Sequence, residues 1–208
     1  MTCWNHPIKA VIFDNDGTFL DTMNFYFEAS NHTLGKKIPQ DFFNSVNGMD
    51  DFTVSAKIVE KYKLDVSPHD FYMKRNEYVD KLLPNSKPFP GVVELIEKFK
   101  KKGYKVGLAT SAEAEKTNLK FSKIPEVFNI FDAVTTKSDV TKHKSDPEIF
   151  FKCSEKLGNF DPSNVLVFED AANGIKAANA AGMASSFFAN GDNDYQKIFD
   201  QNGGNPSY

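Results

Sequence analysis

The stretch Ile8-Lys9-Ala10-Val11-Ile12-Phe13-Asp14-Asn15-Asp16-Gly17-Thr18 decides how the rest of the chain is read. Residues 8–13 form a short apolar run that stops abruptly at two aspartates and a glycine. That pattern predicts a buried strand leading straight into a loop. Two further runs share it: residues 104–109 end in Thr110-Ser111, and residues 164–168 end in Glu169-Asp170. Weaker strands are expected at 131–135 and 183–188.

Helical patterns lie between the strands. Val92, Leu95, Ile96 and Phe99 recur at helical spacing, with Gly103 as the stop. Asp146-Pro147 predicts another helix start, with Asp as N-cap and Pro at the first position. That helix places Ile149, Cys153 and Leu157 on one face and ends at Gly158. Strands alternating with helices predict an α/β fold: a Rossmann-like, doubly wound parallel sheet covered on both faces.

Residues 21–87 break the alternation, with several helical stretches and no convincing strand. Ser67-Pro68-His69-Asp70 reads as a capped helix start, and Pro84, Pro88 and Pro90 crowd the return to the strand–helix region. The expected organisation is an α/β core over residues 1–17 and 88–208, with a helical cap inserted over 18–87.

Composition narrows the function classes. The 208 residues are 40% hydrophobic and 25% charged, which fits a globular chain and excludes wholesale disorder. Lys+Arg 25 against Asp+Glu 28 gives a net charge of -3, so a general nucleic-acid surface is not expected. Arg75 is the single arginine, so anion recognition must rest mainly on lysines, backbone amides and hydroxyls. Cys3 and Cys153 are too few for a disulfide framework and too isolated for a zinc site. Neither a signal peptide nor a membrane span is read, so a cytoplasmic protein without membrane or nucleic-acid partners is expected, a monomer by default.

In open α/β sheets, ligands sit beyond the carboxyl ends of the strands, where strand order reverses. The predicted strand ends carry Asp14, Asp16, Thr110, Ser111, Glu169 and Asp170, with Lys144 just before the Asp146-Pro147 helix start. Four converging carboxylates repel: one pair of unit charges about 4 Å apart costs on the order of 4 kcal/mol at an effective dielectric near 20. Such a cluster calls for a cation, and all-oxygen ligands suit Mg²⁺, whose shell usually includes a substrate phosphate. Lys144 and the hydroxyls match the remaining phosphate oxygens. Asp14 is then placed to attack phosphorus, and Asp16 to protonate the leaving oxygen and later activate water.

The same residues carry a family resemblance. Asp14-Asn15-Asp16-Gly17-Thr18 resembles the first motif of the haloacid dehalogenase superfamily, and Leu108-Ala109-Thr110-Ser111 its second. Lys144-Ser145-Asp146-Pro147 resembles its lysine motif. Val167-Phe168-Glu169-Asp170 with Ala171-Ala172-Asn173-Gly174-Ile175 resembles its acidic fourth motif. The four occur in order, with the helical insertion after the first. The resemblance is to the small-helical-cap branch of phosphatases and β-phosphoglucomutases, and most of all to pseudouridine 5′-phosphatase-like and sugar-phosphate phosphatases.

It implies a phosphoaspartyl intermediate on Asp14, Asp16 as acid/base, and Thr110 and Lys144 on the transferring phosphate. It also implies Mg²⁺ held by the Asp14 carboxylate, the Asp16 main-chain carbonyl and Asp170, with Glu169 close by. The substrate is then a small phosphorylated metabolite. Mutases of this branch carry a histidine where this chain has Tyr26. They also carry a cap arginine shortly after the glycine matching Gly48, where this chain reads Met49-Asp50-Asp51. Water as second acceptor is therefore the simpler expectation, with a mutase as the alternative.

Plainer readings stand beside these. Asp14 to Gly17 also fits a strand-ending turn, and Glu169-Asp170 and Thr110-Ser111 also fit helix caps. Lys142 rivals Lys144, and Tyr26 in Phe25-Tyr26-Phe27 fits helix core as well as a cleft wall. Ser111 and Gly48 remain candidate substrate contacts. A phosphorelay receiver has a similar residue set, but in the opposite order and without the insertion.

Overall fold

In a computed structural model, which describes residues 7–46 and 49–188, five strands form one parallel sheet. The strands are β1 (Ala10–Phe13), β2 (Lys105–Ala109), β3 (Ala133–Thr135), β4 (Val165–Glu169) and β5 (Ala184–Phe187). Each lies within the run read from the sequence or one residue beyond it. Their spatial order is β3-β2-β1-β4-β5, and β1 pairs with both β2 and β4, Phe13 lying level with Leu108 and Phe168. Strand order reverses between β1 and β4, so the crevice lies at the end of β1, where Asp14 begins the loop.

The helices among the described residues are α1 (Met23–Leu34), α2 (Gln40–Ser45), α3 (Asp51–Tyr62), α4 (Pro68–Leu82), α5 (Val92–Lys101), α6 (Ala114–Phe121), α7 (Pro125–Phe128), α8 (Glu148–Leu157) and α9 (Ala172–Ala180). Alternation along β1 divides the core. Ala10 and Ile12 pack with Ile149, Cys153 and Leu157 of α8 and Ala177 of α9. Val11 and Phe13 pack on the other face with Val92 and Ile96 of α5 and Phe121 of α6. Ile12 and Phe13 have no exposed surface, so each contributes about 1.5–3 kcal/mol of burial. This is the doubly wound α/β arrangement read from the sequence.

Helix starts follow local chemistry. Ser67 accepts from the Asp70 N–H at 3.0 Å and Pro68 occupies the first turn of α4, as expected. For α8 the boundary differs by one: the helix begins at Glu148, and Pro147 holds the cap position. Asp146 still caps, because its carboxylate accepts from the Glu148 N–H at 3.0 Å.

The inserted segment builds its own core. Tyr26, Ile38, Phe43, Ile58, Phe71, Val79 and Leu83 cluster together, separate from the two sheet faces. Two crossings join it to the α/β core. Asp21 donates its N–H to the Lys87 carbonyl at 2.9 Å, and Phe89 donates to the Phe19 carbonyl at 3.0 Å. Residues 18–87 remain our proposed cap limits, although Phe19 and Leu20 pack with the sheet. Gly48, Cys3 and the tail from 189 lie outside the described residues. No helix among the described residues is long and apolar enough to cross a membrane.

Candidate active site

Asp14 follows β1, Glu169 ends β4 with Asp170 next, and Lys144 enters from the loop before α8. The Lys144 ammonium donates to Asp14 Oδ1 at 2.5 Å, Glu169 Oε1 at 2.7 Å and the Ala109 carbonyl at 3.2 Å. One side chain thus ties together the tips of β1, β2 and β4. Lys142, by contrast, is exposed and pairs with Asp146 at 3.3 Å. Thr18 donates its hydroxyl to Asp170 Oδ1 at 3.1 Å.

Two glycines let the carboxylates approach. Gly17 has φ +89, and a Cβ there would lie 2.2 Å from Asp170 Oδ2. A Cβ on Gly174 would lie 1.7 Å from Glu169 Oε1. Side chains at either position would displace the acidic groups.

The charges in this cluster do not balance. One ammonium serves Asp14, Glu169 and Asp170, all buried. Burial pushes the Asp14 carboxyl up to about 7: Lys144 offsets part of that cost, and Glu169 and Asp16 add to it. Burial also raises Asp170 well above the carboxylate range, reinforced by Glu169 and Asp14. The same two carboxylates overcome the desolvation of Lys144 and raise its pKa. Carboxylate oxygens of Asp14, Glu169 and Asp170 lie within 4.8 Å of one another. An all-oxygen donor set with surplus negative charge fits a hard divalent cation.

Asp16 sits in a different environment. Its Oδ1 accepts from the Thr22 hydroxyl at 2.6 Å, and its Oδ2 from the Lys120 ammonium at 2.6 Å, Asn15 at 3.3 Å and Thr110 at 3.4 Å. Burial alone would raise this carboxyl, but Lys120, Thr22 and Asn15 together hold it below the usual carboxylate range. Thr110 is fully buried, and its hydroxyl also accepts from the Ala112 N–H at 3.1 Å. Ser111, not Thr110, lines the open space above.

That space is a cavity of about 480 Å³ between core and cap, reaching Asp14, Asp16, Lys144, Glu169 and Asp170 at its floor. Tyr26 lines it from α1, with the Arg75 guanidinium 5.5 Å and the Lys120 ammonium 5.8 Å from its ring centre. Burial, together with Asp16 and Asp51, pushes the Tyr26 hydroxyl well above its ordinary pKa, so it stays protonated. Arg75 donates to Ser30 at 2.8 Å and Asp51 at 3.0 Å. Phe52 and Tyr72 supply aromatic surface.

Lys120, Arg75, Thr18 and Thr22 are site residues that sequence reasoning did not assign. For Thr18 and Thr22 a signal existed, since Thr18 closes the first acidic motif and Thr22 follows it closely. Lys120 and Arg75 sit in helices among other charged residues, and only burial separates them from the solvated lysines around them.

Comparison with known proteins agrees with this geometry. The sequence pattern of haloacid dehalogenase-like hydrolases matches residues 11–188. A Drosophila melanogaster protein named a probable pseudouridine-5′-phosphatase is 31% identical over 183 residues, covering 85% of this chain and 79% of the relative. A phosphorylated carbohydrates phosphatase of Thermotoga maritima is 31% identical over 180 residues, covering 85% and 82%. A crystal structure from Thermotoga maritima, provisionally assigned as a β-phosphoglucomutase, superposes with a TM-score of 0.75 at 29% identity, covering 93% of this chain and 91% of that one. With the matched pattern spanning nearly the whole fold and the acidic strand tips in place, the chain belongs to the haloacid dehalogenase-like hydrolase family.

Proposed function

We propose that this phosphoric monoester hydrolase cleaves a small phosphorylated metabolite of the sugar, polyol or nucleoside type in the cytoplasm, with Asp14 as nucleophile and Asp16 as acid/base. The observation that carries this reading is the Asp14–Lys144–Glu169 contact on the floor of a cavity roofed by the cap. In the first step an Asp14 oxygen bonds to phosphorus, the bond to the ester oxygen breaks, and Asp16, which takes up a proton from the phosphomonoester monoanion on binding, supplies that oxygen with it. In the second, water gives a proton to Asp16 and attacks the aspartyl phosphate, releasing phosphate and restoring Asp14. Asp16 returns that proton to the departing phosphate and thus ends each cycle as it began.

Lys144 and Ser111 serve the transferring phosphoryl group, Thr110, expected to bind it as well, backs the site from its buried position beside Asp16, and Tyr26 and Gly48 serve the substrate's other end. Mg²⁺ would be held by the carboxylates of Asp14 and Asp170 and the main-chain carbonyl of Asp16, with Glu169 beside them; the Asp16 side chain is engaged with Lys120 instead. When bound, the ion offsets negative charge on the phosphoryl oxygens. The cap excludes bulk water while the aspartyl phosphate exists.

The relatives named as phosphatases, one of them for phosphorylated carbohydrates, support hydrolysis of a phosphosugar-like ester. The 29%-identical structure favours a second reading, a mutase that returns the phosphoryl group to another hydroxyl. Tyr26 and Met49-Asp50-Asp51 stand where that branch carries a histidine and an arginine, which supports water instead. Phosphate release from a panel of phosphomonoesters, with Mg²⁺ and with EDTA, tests the proposal. Release dependent on both Mg²⁺ and Asp14 is expected. An isomer of β-glucose 1-phosphate formed without free phosphate would overturn it in favour of the mutase.

A further inference from the structure

Lys120 lies in the last turn of α6, and its side chain has no exposed surface. The neighbouring Phe121 packs into the sheet and Leu119 against the cap cluster, so this turn sits where core and cap meet. An apolar residue would satisfy such a position at far lower desolvation cost, because a buried ammonium without a partner is strongly disfavoured. The partner present is Asp16, 104 residues away in sequence, at 2.6 Å. Thr22 holds the other oxygen of the same carboxylate, also at 2.6 Å.

The two contacts differ in kind. Thr22 stands at the start of the cap, directly before α1, whereas Lys120 belongs to the core helix that follows the Thr110-Ser111 loop. We propose that Lys120 is a positioning residue for Asp16: a charge anchored in the core that holds the acid/base carboxylate at the site whether or not substrate is bound. Lys120 itself touches no reacting atom. This rests on the reading of Asp16 as acid/base given above. General acid–base groups contribute about 10²–10⁴-fold only when held within hydrogen-bonding reach of the proton they move. A carboxylate free to swing into solvent forfeits part of that factor.

A double-mutant cycle separates positioning from a merely structural ion pair. Lys120→Met keeps the length of the side chain and removes its charge. With p-nitrophenyl phosphate as substrate, Lys120→Met is expected to lower kcat by about a hundredfold with KM shifted less than about threefold. On an Asp16→Asn background, the same change should alter kcat by less than about twofold, because the carboxylate to be positioned is gone. Additive losses in the two backgrounds, or an unchanged kcat in Lys120→Met, would overturn the proposal.

Should Lys120→Met alone not fold, the Asp16→Asn/Lys120→Met double variant leaves neither charge buried and carries the test. There, a kcat within about twofold of Asp16→Asn supports positioning, and a further tenfold loss overturns it. If Asp16→Asn alone retained wild-type kcat, the acid/base reading would fail instead, which is a different result from additivity.

Discussion

The strand tips and the cap both gather charge, but with a different balance. At the ends of β1 and β4, Lys144 faces Asp14, Glu169 and Asp170, so negative charge is in surplus. Along the cap, Arg75 pairs with Asp51 at 3.0 Å, and Lys116 of the core helix α6 reaches across to within 3.9 Å of Asp51 and 3.8 Å of Asp80, so cations and anions are matched. A matched set is satisfied as it stands and can shape a cavity wall. A surplus is tolerated only where something else supplies the missing charge, and here that region coincides with the proposed nucleophile.

The strongest way to break this contrast is Asp14→Asn. It removes the nucleophile with almost no change in volume, and kcat for phosphate release should fall by more than about a thousandfold. A loss smaller than tenfold would show that the surplus charge is not the reacting centre.

The same variant sharpens the contrast through stability. Asp14 is raised from 3.8 to about 7, so between those pH values the folded protein keeps a proton that the unfolded chain has released. This group's contribution to stability therefore falls as pH rises through that window, and stays unfavourable above it. In EDTA at pH 8, Asp14→Asn should unfold at higher temperature than wild type, by an amount equivalent to at most about 4 kcal/mol. The difference should vanish near pH 4. Equal thermal unfolding curves at pH 8 would show that the cluster carries no surplus.

Next in size is the response to the ion. Mg²⁺ should raise the melting temperature of the wild type, and Asp170→Asn should weaken that apparent affinity by about 10–100-fold. An identical Mg²⁺ titration of the two proteins would remove Asp170 from the ion's ligands.

The smallest expected effect lies in the matched region. Arg75→Met leaves Asp51 only the more distant Lys116, at 3.9 Å, and that carboxylate is 33% exposed, so about 1–3 kcal/mol of stability should be lost in urea unfolding. KM for the preferred metabolite phosphate should rise while kcat for p-nitrophenyl phosphate stays within about threefold. A large fall in that kcat would mean that Arg75 belongs to the reacting end.

Much of the core was legible because its signals are local. Each strand is a run of apolar residues broken by the polar group it delivers, as with Phe13-Asp14, Ala109-Thr110 and Phe168-Glu169. Gly103 and Gly158 mark helix ends because their backbone conformation is local too. Boundaries drifted by a residue or two, as at α8, where Asp146 caps from one position further out than read. Lys144 could be preferred over Lys142 from its distance to Pro147. The cap was readable only as helical, since amphipathic spacing tells which face is buried but not what it is buried against.

The sequence by itself determined the alternation of strands and helices, the inserted helical segment and the acidic groups at the strand ends. These depend on residues close together along the chain, where the spacing of apolar groups and the chemistry of turns act directly. Only the tertiary structure decided which charges are matched. Lys120 reads like any other helical lysine until folding brings it to Asp16, and Arg75 likewise until it reaches Ser30 and Asp51. The physical reason is that the energy of a charge depends on its distance to other charges and to water, and neither is written in sequence separation.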